Sequence, residues 1–172
     1  AILRPVRTTI ITFLAVGLAV LGLQLAGGSR AHATTPGTTL GTFVAVTPSM
    51  GRGTYEAKVL HWVNVRRGQH GLHALRLSRC TNRVANRWSL HLAATDSFYH
   101  QSMMRIMLTC NAYYAGETLA MGGVTPKRIV TLWMHSPEHR KILLSKHPRR
   151  IGVGAYPNAQ GAWVVAADFM KY

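Results

Sequence analysis

The stretch that most limits what this chain can become is Trp133 to Gly154, WMHSPEHRKILLSKHPRRIGVG. Pro137 disfavours helical geometry in Ser136 before it, so a helix carrying Trp133 must stop there. A second short helical turn bearing His139 opens beyond the stop, and Ile151 and Val153 then begin an apolar strand. A helix end, a histidine-bearing turn and a strand start in so few residues place His139 at an element boundary. With His100 and Glu117 upstream, it suggests one polar site assembled from three separate segments.

The rest of the chain supplies elements for those segments to pack on. Helix one is expected from Thr54 to Gly68, capped by Thr54, with Tyr55, Val59, Trp62 and Val63 on one face. Leu75 and Leu77 sit at strand spacing, and a second helix runs from Ser78, its cap, to Thr95. Its stripe of Val84, Ala85, Trp88, Leu92 and Ala93 reads as core, Trp88 included. A short helix starts at Ser102 and carries Met103, Met104, Ile106, Met107 and Leu108, spaced for packing. Tyr113 to Gly123 is a short strand whose only charge is Glu117, and Thr125-Pro126 opens another helix as cap and first residue. Arg150 to Tyr156 and Ala162 to Phe169 are Val-rich runs joined by Pro157-Asn158-Ala159-Gln160-Gly161, an antiparallel hairpin. Helices, a short strand and a terminal hairpin give an α+β sandwich with a small antiparallel sheet.

Residues 1–33 read as a secretory signal peptide. Arg4 and Arg7 precede an uncharged apolar stretch from Thr8 to Ser29, and Ala31-His32-Ala33 is an A-x-A exit with cleavage after Ala33. An uncleaved membrane anchor is the alternative, since Thr8 to Ala26 is 19 residues, close to a bilayer span. Residues 34–53, dominated by Thr, Gly, Pro and Ser, read as a linker, and 54–172 as the domain. Export makes a disulfide between Cys80 and Cys110, the two cysteines, the favoured state. Two buried thiols are the alternative; a cysteine-ligated metal is disfavoured because no tight C-x-x-C pair exists.

Charge narrows the partners. Loss of residues 1–33 removes three of the 20 basic residues and no acid, leaving 17 against five and a net charge of +12. Such a balance attracts polyanions, and for an exported protein the candidate partners are anionic cell-envelope polymers, acidic lipid head groups or extracellular nucleic acid. Arg66, Arg67, Arg76, Arg79, Arg83, Arg87, Lys146, Arg149 and Arg150 would form that surface. No motif with base-reading geometry is present, so sequence-specific nucleic-acid recognition is not expected.

Taken together, Asn64, Gly71-Leu72, Ser89, Phe98-Tyr99-His100, Gly116-Glu117-Thr118-Leu119-Ala120, Trp133 to Arg140 and Arg150-Ile151-Gly152-Val153-Gly154 resemble a bacterial member of the CAP superfamily. That superfamily, also called SCP-like, holds the cysteine-rich secretory proteins, antigen 5 and plant pathogenesis-related proteins. The resemblance spans about Tyr55 to Phe169 and implies a three-layer α-β-α sandwich with a His/Glu-lined cleft. It makes His100 and His139 the two histidines, a metal pair for Zn2+, and Glu117 the glutamate, the candidate for a catalytic role. The second glutamate of eukaryotic members falls on Ser136, with Glu138 a partial substitute. Ile142 and Ala166 replace polar residues usual in the family, which implies a more apolar cleft. The function implied is a secreted, monomeric binding domain for a divalent metal or a small apolar ligand or lipid. A metal-dependent, peptidase-like hydrolase using the same cleft is the alternative.

Overall fold

A computed structural model describes residues 50–172. The signal-peptide reading of 1–33 and most of the linker lie outside the described residues. The element order is α1 (Arg52–Gln69), β1 (Arg76–Leu77), α2 (Arg79–Thr95), α3 (Met103–Cys110), β2 (Tyr114–Gly122), α4 (Pro126–His135), α5 (Pro137–Leu143), β3 (Arg150–Pro157) and β4 (Trp163–Lys171). Helix α1 starts two residues before the expected Thr54, and Gly51 rather than Thr54 is its N-cap. Arg52 gains two partners by joining it: Glu56 one turn on, at 3.6 Å, and the Tyr156 ring, 4.4 Å from its guanidinium. The other caps are those the sequence indicates, with Ser78, Ser102 and Thr125 accepting from backbone N–H groups of Thr81, Arg105 and Arg128.

The strands form one sheet in the order β1-β3-β4-β2. β3, β4 and β2 are antiparallel, as expected, and the two-residue β1 adds a parallel edge on β3, so the sheet is mixed. In the hairpin loop Asn158 Oδ1 accepts from the N–H groups of Gln160 and Ala162, and Gly161 supplies a φ of +75°.

Alternation along β4 divides the core into two layers. Trp163, Val165, Ala167 and Phe169 meet Tyr55, Val59 and Val63 of α1, Ile129, Val130 and Trp133 of α4, and Leu143 of α5. Val164 and Ala166 meet Leu92 and Ala93 of α2, and Met170 meets Val84 of α2 and Ile106 of α3. The result is an α-β-α sandwich. Helix α2 lies so close on β3 that a Cβ at Gly152 would fall 2.2 Å from the Thr81 carbonyl carbon, and one at Gly154 2.3 Å from the Ala85 oxygen. That contact is the physical reason for glycine at both places in the I-G-V-G run.

Candidate functional site

The three segments that the sequence points to build the polar site, and strand β4 adds a fourth. The first is the link between α2 and α3, which carries His100 and Gln101 and whose two helices are fastened by a Cys80–Cys110 disulfide with a Cα–Cα distance of 5.7 Å. The second is edge strand β2, which carries Glu117. The third is the α4–α5 corner. Trp133, fully buried, donates from Nε1 to the Leu119 carbonyl at 2.8 Å and pins α4 to β2. Burying that ring stabilises the corner by roughly 1.5–3 kcal/mol. Ser136 is at once the C-cap of α4 and the N-cap of α5, so the chain turns there as the proline requires and presents His139 one turn later.

His100 and Glu117 come together as the sequence suggests: Nδ1 of the half-exposed imidazole is hydrogen-bonded to Oε2 of the buried carboxyl at 2.5 Å. His139 lies near enough that charge on His100 disfavours its protonation. Burial first and His100 second hold its pKa below the usual histidine value, while Glu138 acts the other way. Ser136 and Glu138 make no side-chain hydrogen bond within the cluster among the described residues.

Two members of the site were not legible in the sequence. Asp168 of β4 is the direct cross-strand partner of Glu117, so the two carboxyls project from the same face of the sheet. Gln101 bridges them, its Nε2 donating to Glu117 Oε1 at 2.7 Å and lying 3.1 Å from both oxygens of Asp168, while its backbone N–H donates to Glu117 Oε2. Burial raises the pKa of Glu117, opposed by the bonds from Gln101 and His100. Burial and then the Glu117 charge push Asp168 well above the carboxylate range, against the bond from Gln101. The signal for Asp168 was available: a lone acid inside a Val- and Ala-rich strand of a strongly basic chain.

Other expectations shift. Ala166 does not open the cleft; it is fully buried beside Leu92 and Leu119, and Asp168, two residues on, is the β4 side chain that reaches the site. Ile142 packs over Gly116 in the opposite core layer, 3.1 Å from where a Cβ would stand. Trp88 is only half-buried. It stacks on His91 and meets Tyr99 edge-on, each with centroids 5.1 Å apart, walling a groove of about 510 Å³ between α2 and α3 that His100, Gln101 and Ile106 also line. Met103 packs against the Val84–Ile106–Met170 cluster, as its spacing suggests, while Phe98, Tyr99, Met104 and Leu108 are exposed. Arg67 is no part of a basic surface, being fully buried.

The donor set bears on Zn2+. Glu117 against Nδ1 is the arrangement that orients a ligating histidine through its other nitrogen. Yet among the described residues no group of three or more His, Cys, Asp or Glu is placed to hold a metal ion, short of the three protein ligands of an ordinary zinc site.

Fold and site together define an α-β-α sandwich with a histidine–carboxyl cluster at the β2 edge of its sheet. The Cysteine-rich secretory protein family, CAP, matches residues 60–167, and the chain belongs to that family. It is 33% identical over 116 residues to the uncharacterized protein YkwD of Bacillus subtilis strain 168, a match covering 63% of this chain and 45% of that protein. The chain therefore spans less than half the length of this curated relative. An extracellular protein of Bacillus anthracis containing an SCP domain shares the fold with a TM-score of 0.63 at 22% identity, over 70% of this chain and 41% of that one. An outer surface protein of Borrelia burgdorferi does so with a TM-score of 0.60 at 21% identity, over 66% and 89%.

Proposed function

We propose that this is a secreted, monomeric CAP-domain protein whose sheet-edge cleft binds a small apolar or amphipathic ligand of lipid type. The observation that carries the reading is the aromatic groove of Trp88, His91 and Tyr99 opening beside His100, with Phe98, Met104 and Leu108 exposed on the same loop and helix. Val84, Trp88 and Ile106 give the groove apolar wall, and Arg87, Arg105, His100 and Gln101 give it groups that can meet a polar or anionic ligand head. A concave site that joins apolar wall to polar and cationic groups suits an amphipathic ligand, with its tail on the wall and its head on those groups. Adjoining apolar side chains left in water are the usual mark of a surface that is covered in use.

The test is a tryptophan-fluorescence titration of the full chain with a long-chain fatty acid below its micelle concentration. Saturable quenching is expected, weakened about tenfold by Tyr99→Ala, with His100→Ala weakening ligands that carry a polar head. An unchanged Tyr99→Ala titration would refute the groove as the site. Divalent metal is a separate proposal, in which His100 and His139 would hold Zn2+ weakly; calorimetry with the His100→Ala/His139→Ala double variant tests it.

A metal-assisted hydrolase is the second reading, favoured by Asp168, which supplies beside Glu117 the second carboxyl that Ser136 lacks. Peptide turnover that is chelator-sensitive and abolished by Glu117→Gln would establish it. Inertness of the wild-type chain on a broad peptide panel counts against it.

A further inference from the structure

The fully buried guanidinium of Arg67 stands in the last turn of α1. Its Nε donates to the His73 carbonyl at 3.0 Å, and its Nη1 to those of Leu143 and Ser145 at 2.7 and 2.8 Å, tying α1 to the link between α5 and β3. Nη2 is buried with no hydrogen-bond partner. All three partners are neutral carbonyls, so hydrogen bonds satisfy part of the group and no carboxylate pairs with its charge. Both ion pairs among the described residues, Arg52–Glu56 and His100–Glu117, involve other side chains. A buried cation without a counter-ion is costly, and proteins ordinarily pair it.

What surrounds Arg67 makes the imbalance worse. It lines a cavity of about 210 Å³ together with Gly71, Leu72, His73, Lys146 and Arg149. His73 and Arg149 also line an adjoining groove of about 520 Å³, with Ala74, Arg76 and Arg150. Arg76 and Arg150 are register partners on β1 and β3, like charges set side by side, an arrangement that destabilises a sheet by itself. Not one of the chain's five acids lines either space. Burial, and then the charge of Arg149, lower the pKa of Arg67, which is the same strain expressed as a proton affinity.

We propose that the Arg67 cavity is a binding site for a phosphate-type oxyanion, and that the Arg76–Arg150 groove takes the next anionic group when the phosphate belongs to a phosphodiester polymer. Four features fix the class. The cavity is lined by two guanidinium side chains, an ammonium and an imidazole, a donor set that a tetrahedral oxyanion with three or four acceptor oxygens uses more fully than a two-oxygen carboxylate. The volume suits one such group. The buried charge of Arg67 sits where water screens it least. Finally, the second pair of guanidiniums continues from the first through shared residues, as a repeating anion requires. The site lies apart from the histidine cleft and does not depend on what that cleft binds.

Calorimetry on the full chain at low ionic strength tests the proposal, with inorganic phosphate as one probe and a short glycerol-phosphate oligomer as the other. One-site binding of inorganic phosphate is expected, weakened about tenfold or more by Arg149→Gln or Lys146→Gln, both at exposed positions. Arg83→Gln, an exposed change on α2, should leave it unaltered. The oligomer should bind more tightly than phosphate, and Arg76→Gln should remove that gain while sparing phosphate itself. No saturable phosphate binding, or equal weakening by Arg83→Gln, would overturn the site and leave only diffuse polycation attraction, whose salt dependence follows total charge. An oligomer no tighter than phosphate would overturn the polymer extension and make the free ion the ligand.

Discussion

The two edges of the sheet treat charge in opposite ways. At the β2 edge, two of the chain's five acids are buried side by side, and a neutral amide, Gln101, holds both. At the β1 edge guanidiniums gather around a buried one, with carbonyls as their partners and no acid present. A carboxyl can escape the penalty of burial by keeping its proton, and burial moves the pKa of Asp168 upward, in that direction. An arginine stays charged at any ordinary pH, so the basic edge has no such exit. Burial thus sets a hydrogen-bonded carboxyl network at one edge against an unbalanced cluster of cations at the other.

The largest break in this comparison comes from the acidic edge. The Cys80→Ala/Cys110→Ala pair opens a bridge across 30 residues, and on the chain-entropy model it lowers unfolding free energy by about 3–4 kcal/mol. Denaturant unfolding should show that loss, and hydrogen exchange should rise first around Gln101 while α1 stays protected. Next, Arg67→Met strips three carbonyls of their charged donor; a loss of about 3 kcal/mol is expected, although the substitution also removes an unpaired charge. A loss under about 1 kcal/mol would mean that desolvation had cancelled the hydrogen bonds.

Asp168→Asn sharpens the contrast with the opposite sign. Because the folded pKa of Asp168 lies above its unfolded value, its contribution is fully present below about pH 4 and is lost as pH rises through the folded pKa. The variant should therefore match the wild type at pH 4 and gain on it by pH 8 in urea unfolding. Parallel curves would mean that the proton is not held there. The smallest effect is a titration shift: His100→Ala removes the second cause of the lowered His139 pKa, so that pKa should move upward by NMR, with burial still holding it below the ordinary value.

Much of this protein could be read from the chain. The stop at Ser136-Pro137 and the caps Ser78, Ser102 and Thr125 are local signals, set by backbone sterics and by side chains reaching their own neighbours, and they landed where they read. The hairpin and the His100–Glu117 pairing were legible too, the first from period and turn residues, the second from resemblance. Asp168, Gln101, the parallel β1 edge and the burial of Arg67 were not. Each depends on which strand lies beside which, and on which helix covers the chain end. Strand register sets Asp168 opposite Glu117 and Arg76 opposite Arg150 across 51 and 74 positions of sequence. Sequence alone determined the elements, their ends and the excess of positive charge, because those follow from neighbours in the chain. Only the tertiary structure decided where that charge would be buried without a partner, because desolvation acts on neighbours in space.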